Sequence, residues 1–142
     1  MKAFSEQDRQ KFLADKHVGV LSVAADHDRP PASVPIWYDY TAEGLIRIST
    51  GASSRKTRLI EQAGVMTLVV QREEPPYQYV VVEGTVVDTT TPAPHDVREA
   101  IAIRYLGDEG GRAFAEGMRD VTSVLFTVRP DRWITADYSD GE

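Results

Sequence analysis

The sequence predicts a mainly β fold, a six-stranded antiparallel barrel decorated with helices. Six segments rich in β-branched and apolar residues are joined by short turns, and the segments with helical patterns are few and short. The segments do not alternate regularly with helices, so a doubly wound parallel sheet is disfavoured. The 142 residues, of which 42% are hydrophobic, fit a single domain spanning residues 1–142.

The helices are predicted from their end signals and spacing. Ser5 followed by Asp8 resembles a capping box and begins a helix of about ten residues. A short basic helix is predicted at 57–62, and Gly64 ends it as a left-handed residue. The apolar spacing of residues 95–105 predicts a third helix, which glycines at 107–111 interrupt before one or two further turns at 112–118.

Six strands are predicted in the segments between these helices. Pro35 has no N–H to donate, which restricts its strand to an edge or a bulge of the sheet. Arg129-Pro130-Asp131 is predicted to end the last strand, and the acidic tail at about 139–142 is predicted to be loose. The six predicted strands cover residues 18–25, 32–40, 45–50, 65–71, 77–88 and 123–128.

Composition excludes several classes of function. The net charge is −6, from 22 acidic and 16 basic residues, so nucleic acid is not an expected partner. The absence of cysteine removes disulfides, thiolate metal sites and cysteine nucleophiles, and the three histidines stand in unrelated settings, so no metal site is expected. No apolar run has transmembrane length and no signal core is present, so no membrane association and a cytoplasmic location are expected.

The turn between the third predicted strand and the short helix has the chemistry of an anion site. It carries small hydroxyl residues and then three cations within four positions, at a helix start whose free N–H groups favour negative charge. A solvated basic turn is an equally weighted alternative. The candidate residues are Ser49, Thr50, Ser54, Arg55, Lys56 and Arg58.

Aromatic residues suggest where a planar ligand would lie. Trp37 lies two residues after Pro35, whose strand is predicted to leave main-chain groups free for a ligand. From this segment alone, however, a core position for Trp37 is favoured two to one. Tyr77 and Tyr79 are predicted to share one strand face, where they either stack on a planar ring or pack a dimer interface.

Taken together, these segments resemble the split β-barrel flavin- and deazaflavin-binding proteins, a family similar to pyridoxamine 5′-phosphate oxidase. The resemblance covers nearly the whole chain and is carried by "HVGVLSVAADHDRPPASVPIWYDY", "GLIRISTGASSRKTRLIEQAGVMTLVV" and "YQYVVVEGTVVD". The short length and the "R-K-T-R" turn look most like the branch that uses coenzyme F420, with the FMN-binding branch close behind. Ser54 stands where some F420-binding relatives carry another arginine.

The resemblance implies a homodimer with a cofactor groove at its interface. Lys56 would be the first phosphate ligand, assisted by Arg58 and by the hydroxyls of Ser49 and Thr50. The ring would lie along Ser33, Val34, Pro35, Ile36 and Trp37. Tyr77 and Tyr79 of the partner subunit would line the substrate side. The proton needed by the substrate would come from Tyr79, Tyr38 or solvent.

The implied function is an F420-dependent oxidoreductase that transfers a hydride from the reduced deazaflavin to a small unsaturated or oxidised organic substrate. One alternative is an FMN-binding oxidoreductase similar to pyridoxamine 5′-phosphate oxidase. Another is a protein that binds a flavin, a deazaflavin or a tetrapyrrole without turnover. A dimeric structural domain with an empty groove is the remaining alternative.

Overall fold

The computed structural model describes residues 1–139, which form one antiparallel sheet and three helices. The sheet order is β2-β1-β5-β6-β7-β4-β3. The prediction of a mainly antiparallel β fold is confirmed, and most of the predicted loose tail, residues 140–142, lies outside the described residues. The elements are α1 (Glu6–Ala14), β1 (Gly19–Val23), β2 (Ala32–Ile36), β3 (Asp39–Tyr40), β4 (Ile46–Gly51), α2 (Arg55–Ala63), β5 (Val65–Arg72), β6 (Gln78–Thr90), α3 (His95–Gly117) and β7 (Ser123–Asp137).

The predicted count of six strands is wrong, because the strand predicted at 32–40 is two strands. β2 pairs with β1 and β3 pairs with β4, so the two strands form opposite edges of the sheet. Between them Tyr38 is fully buried, and its hydroxyl donates to the carbonyl of Leu13 at 2.8 Å. This buried anchor interrupts the strand. The sheet therefore curls until its two edges are chain neighbours, but within residues 1–139 no ladder joins them into a closed barrel.

The predicted end of the last strand is also wrong. β7 runs through Arg129-Pro130-Asp131 to Asp137 and pairs with β6 over most of its length. The pairing shifts register between Glu83 and Gly84, and Gly84 lies opposite Pro130. An irregularity of this kind accommodates a proline within a sheet. Trp133 consequently lies in a strand, opposite Val82.

The helix signals match the structure. Ser5 caps α1, with its Oγ accepting from the N–H of Asp8 at 3.1 Å. Gly64 follows α2 at φ 72°, the left-handed conformation predicted for it. Gly107 interrupts α3 at φ 81° and ψ 173°, within the predicted break.

The core lies against the inner face of the curled sheet and is closed by α1 and α2. From α2, Leu59 and Ile60 are fully buried in this core, together with Leu21, Ile48 and Leu68 of the sheet. This packing fixes the orientation of α2 and so the direction in which its first turn faces.

Among the described residues, no helix is both long enough and apolar enough to cross a membrane.

Candidate functional site

The start of α2 is built by hydroxyl groups. Ser54 is the N-cap, and its Oγ accepts from the N–H of Thr57 at 3.3 Å. The hydroxyl of Thr57 donates to the carbonyl of Gly51 at 2.6 Å and contacts the hydroxyl of Thr50 at 2.5 Å. The hydroxyls of Ser54 and Thr50 are therefore engaged within the turn, which holds the end of β4 against α2.

The electrostatics of this turn favour an anion. The first turn of α2 contains no acidic residue, so no side chain of that turn offsets the partial positive charge of the helix N-terminus. Arg55 and Lys56 are half-buried at this end of the helix. Both positive charges therefore add to the helix dipole at one place.

The three predicted cations differ in their partners. Arg58 is exposed and pairs with Asp26, with Nη1 at 2.7 Å from Oδ2, and this hydrogen bond lowers the pKa of the Asp26 carboxyl. Lys56 has no ion pair within residues 1–139. The Nη2 atom of Arg55 is buried and has no hydrogen-bond partner within the same residues. Arg55 and Lys56 therefore have no acidic partner among residues 1–139, whereas Arg58 has one in Asp26.

Two cavities flank Lys56. The first, here called the β2 cavity, has a volume of about 470 Å³ and is lined by Leu21, Val23, Arg29, Pro30, Pro31, Ala32, Ser33, Val34, Ser54, Arg55 and Lys56. The second, the α3 cavity, has a volume of about 440 Å³ and is lined by Val18, Pro35, Ile36, Trp37, Ser49, Thr50, Gly51, Lys56, Arg98, Ile101, Ala102, Phe114, Ala115, Met118, Val121 and Ser123. Lys56 is the one residue that lines both.

The structure divides the predicted site residues between these cavities. The β2 cavity takes Ser33, Val34, Ser54, Arg55 and Lys56. The α3 cavity takes Pro35, Ile36, Trp37, Ser49 and Thr50, again with Lys56.

Three predicted residues line neither cavity. Arg58 is held by Asp26, as described. Tyr77 is 54% exposed and precedes β6, while Tyr79 is half-buried in β6 opposite Gln71 and Ala136. Neither tyrosine lines the β2 cavity or the α3 cavity, and their role in a partner subunit stays a prediction.

The β2 strand offers main-chain groups to a ligand, because it is an edge strand, as the position of Pro35 predicted. Pro35 lies opposite Val20 and has no N–H, so this pair is a non-hydrogen-bonded one. Such pairs alternate along an antiparallel ladder, so Ser33 opposite Ser22 is of the same kind. The N–H and C=O of Ser33 therefore point away from β1, toward the open edge.

Trp37 forms a wall of the α3 cavity. It is half-buried, and its ring stacks on that of Tyr105 with centroids 5.0 Å apart and planes 6° apart. The Phe114 ring lies near it as well, with its centroid 5.3 Å from that of Trp37 and the two planes 55° apart. The core position that the sequence favoured for Trp37 is not observed. Trp37 is half-buried, whereas its neighbour Tyr38 belongs to the buried core.

Tyr38 is a structural residue in this arrangement. Burial raises the pKa of its hydroxyl above the ordinary value, and that hydroxyl donates to Leu13. A group that is both buried and committed to a carbonyl is a poor proton donor to a ligand. Tyr38 is thereby removed from the candidate proton sources.

Sequence reasoning missed two contributions to these cavities, that of α3 to the α3 cavity and that of Arg29 to the β2 cavity. Arg98 donates to the carbonyls of Val121 and Met118, each at 2.9 Å, and so holds the loop after α3 against the cavity. Phe114 and Met118 supply apolar wall. The available signal was the apolar pattern after Gly111, which predicted a helix but not the surface that it covers.

Comparison with known proteins finds several solved structures with the same fold. No protein-family model and no curated protein matches the chain. An F420 reductase structure is 21% identical, with 88% of this chain and 94% of that one covered and a TM-score of 0.71. A FAD-binding protein from Mesorhizobium loti is 17% identical, with 94% and 93% covered and a TM-score of 0.63. A candidate pyridoxamine 5′-phosphate oxidase from Listeria innocua is 12% identical, with 92% and 96% covered and a TM-score of 0.63.

These likenesses confirm the predicted resemblance at the level of the fold. The chain has the split-barrel fold of the pyridoxamine 5′-phosphate oxidase type. Solved proteins with this fold include one named for F420 and one named for FAD.

Proposed function

We propose that the protein is an oxidoreductase that binds F420 and uses it to reduce a small unsaturated or oxidised organic substrate. The observation that carries the proposal is the buried Nη2 of Arg55, which has no partner within residues 1–139, beside the unpaired Lys56. Buried polar atoms are nearly always hydrogen-bonded, and an unsatisfied one requires an explanation. An anionic group of a cofactor bound at the start of α2 would satisfy it.

The phosphate of the cofactor is assigned to Lys56 and Arg55. The ammonium supplies a point charge, the guanidinium supplies a fork of donors, and the N-terminus of α2 adds its dipole. The hydroxyl network of Ser54, Thr57 and Thr50 has a supporting role, because it fixes the turn that carries both cations.

The ring is assigned to the open edge of β2. The outward N–H of Ser33 is a donor for a ring carbonyl or nitrogen, and the outward carbonyls of Ser33 and Pro35 are acceptors for a ring N–H. Val34 supplies apolar contact on the β2 cavity side, and Ile36 and Trp37 do so on the α3 cavity side. A flat ring held by edge-strand main chain is fixed in orientation without a charged side chain.

Reduced F420, when bound, supplies a hydride to the substrate, and a proton completes the two-electron reduction. The residues of this chain orient donor and acceptor and exclude water, which can lower a barrier by several kcal/mol. Trp37 and Phe114 exclude water on the α3 side. The proton comes from solvent or from Tyr79 of a partner subunit, since Tyr38 is buried and engaged.

Titration of the protein with F420, followed by quenching of the cofactor's fluorescence, tests the proposal. Lys56→Ala should weaken binding roughly 10- to 150-fold, because a hydrogen bond to a charged group contributes about 1.5–3 kcal/mol. Lys11→Ala removes the same charge from an exposed position of α1 and is the matched control, expected to bind within twofold of the unmodified protein. Affinity of Lys56→Ala within twofold of that protein would overturn the phosphate assignment.

FMN is the second candidate cofactor, supported by the FAD-binding protein of the same fold and by Ser54 at a position where some F420-binding relatives carry arginine. A yellow preparation with flavin absorbance bands, and no quenching of F420 fluorescence, would select it. Consumption of reduced F420 above the protein-free rate, measured with quinones, enones and tetrapyrroles, separates an enzyme from a protein that only binds cofactor.

We further propose that the protein is a homodimer. One row of β-branched residues crosses four adjacent strands on the sheet face opposite the core, with Val20 opposite Val69, Val69 opposite Val81, and Val81 opposite Ile134. A solvated sheet face is ordinarily polar at such positions. Ile134 is 48% exposed, and the three valines are half-buried. A second copy of the chain would cover this row.

Light scattering tests the dimer. Val69→Glu should shift the mass from about twice 15.8 kDa to the monomer value, because a carboxylate in an apolar interface is strongly unfavourable. Gln62→Glu, an exposed position of α2, introduces the same charge and should leave the mass unchanged. A monomeric unmodified protein at micromolar concentration would contradict the proposal.

A further inference from the structure

The α3 cavity concentrates apolar side chains that would ordinarily be buried. Val18, Phe114 and Val121 are 52%, 45% and 43% exposed, and all three line this one cavity. Scattered exposed apolar residues are normal, whereas a cluster around a concavity marks a ligand surface. The three come from different parts of the chain, before β1, in α3 and after α3, and the fold brings them together.

The walls of this cavity are flat and fixed. The Trp37 ring is stacked on Tyr105, and the Tyr105 hydroxyl donates to the carbonyl of His17 at 2.6 Å. The same hydroxyl accepts from the N–H of Tyr38 at 3.1 Å. Because Tyr105 is held in this way, the plane of Trp37 is set before any ligand arrives. Phe114 faces Trp37 at a tilt and completes an aromatic corner.

The charges of the lining select against cations. None of the described residues that line the α3 cavity is acidic, and the charged ones are Lys56 and Arg98. The guanidinium of Arg98 is committed to two carbonyls. Lys56 stands at the boundary with the β2 cavity, where the cofactor phosphate is assigned. The interior of the α3 cavity therefore presents apolar and aromatic surface, with hydroxyls from Ser49 and Ser123.

We infer that the α3 cavity is a separate acceptor site that takes a flat, uncharged molecule of one or two fused rings, and that Phe114 determines this preference together with Trp37. The inference rests on the proposed function, since it names the substrate class of that reaction. A volume of about 440 Å³ is at the small end of ligand cavities, which suits a molecule of one or two fused rings. Aromatic rings prefer offset or tilted contacts with one another, which the corner of Trp37 and Phe114 provides on two sides.

Intrinsic fluorescence tests the site without any cofactor, with menadione as the probe. The chain has two tryptophans, and Trp133 lies outside the α3 cavity with the Arg9 guanidinium 4.1 Å from its ring centroid. In a Trp133→Phe background, menadione should quench the remaining emission of Trp37 saturably. Phe114→Ala in that background should weaken the affinity at least fivefold, because both stacking and apolar contact are lost.

Leu106→Ala is the matched control, because Leu106 is also on α3, is also 45% exposed and does not line the cavity. It should bind menadione within twofold of the background protein. Thermal melting of both variants verifies that they fold. Equal affinity of the Phe114 and Leu106 variants, with both folded, would overturn the role of Phe114.

Separate titrations distinguish this inference from the proposed function. Saturable quenching of Trp37 with no binding of F420 or FMN would leave the ring site standing and refute the cofactor assignment. Cofactor binding without saturable quenching would refute the acceptor site alone. Displacement of menadione by F420 would show that the α3 cavity holds the cofactor ring, and would also overturn the inference.

Discussion

The packing of α3 on itself leads to a prediction about a single glycine. Gly111 is buried, and a Cβ built on it would overlap the backbone N and Cα of Ile103, on the other side of the break at Gly107. The two halves of α3 therefore approach at a distance that only glycine permits. This contact determines where Phe114 and Met118 stand in the α3 cavity. Gly111→Ala must push the halves apart.

The expected loss of stability follows from which atoms clash. Backbone cannot move aside as a flexible side chain can, so the substitution should cost about 3 kcal/mol, the upper end for overpacking, reduced by up to about 1 kcal/mol through the higher helix propensity of alanine. The entropy of unfolding of a 142-residue chain is about 0.3 kcal/mol/K, so Tm should fall by roughly 7–10 °C. Menadione affinity should fall as well, since the aromatic corner moves.

Gly117→Ala is the matched control on the same helix. A Cβ at Gly117 meets nothing within 4 Å, so the change should leave Tm unchanged or raise it by up to about 3 °C. Calorimetry or circular dichroism melting of the two variants measures the difference. If the Tm of Gly111→Ala lies within about 1 °C of that of Gly117→Ala, the helix contact does not exist as described and the account of the cavity wall fails with it.

Two further predictions concern the junction that supports Trp37. Arg104 donates to the carbonyls of Leu13 and Asp15, at 3.0 and 2.7 Å, at the end of α1. Arg104→Ala should therefore lower Tm. Arg104→Lys should not restore it, because an ammonium cannot reproduce the guanidinium fork. Burial lowers the pKa of His17 below 6.5, while Asp15 opposes and Arg104 reinforces the shift. The unfolded chain then binds more protons than the native one below about pH 6.5, so this contribution to stability is present above that pH and is lost as the pH falls toward the folded pKa. His17→Asn should reduce the loss of Tm between pH 7.5 and 5, and an equal loss in both proteins would contradict the assignment.

Features that depend on neighbouring residues could be predicted from the sequence. Ser54 caps α2 and Gly64 ends it because a hydroxyl acceptor and a left-handed residue act within one helical turn. Pro35 predicted an edge strand or a bulge, and β2 is an edge strand, because a missing N–H is a local property with a consequence for any sheet. The basic turn was identified in the same way, and the structure places Arg55 and Lys56 together at one cavity.

Features that depend on distant contacts could not be predicted. The break between β2 and β3 follows from the burial of Tyr38 and its bond to Leu13, on a helix well before it in the chain. The ion pair of Arg58 with Asp26 joins α2 to the turn after β1, and sequence reasoning had counted this arginine among the phosphate ligands. The irregularity opposite Gly84 let β7 pass through Pro130, although proline locally signals an end.

For the proposed function, the division of the predicted site into two cavities would give the two halves of the reaction different surroundings. An anionic group needs donors and charge, and the β2 cavity has Arg29, Arg55 and Lys56 in a chain whose net charge is −6. Hydride transfer needs a surface from which water is excluded, and the α3 cavity has Trp37 and Phe114. Lys56 lines both cavities, so under the proposed function a cofactor with its phosphate at Lys56 would extend its ring along β2 toward the apolar side. Because the proposed phosphate ligands are on α2 and Phe114 is on α3, a substitution in α3 should alter the choice of acceptor without weakening the binding of the cofactor.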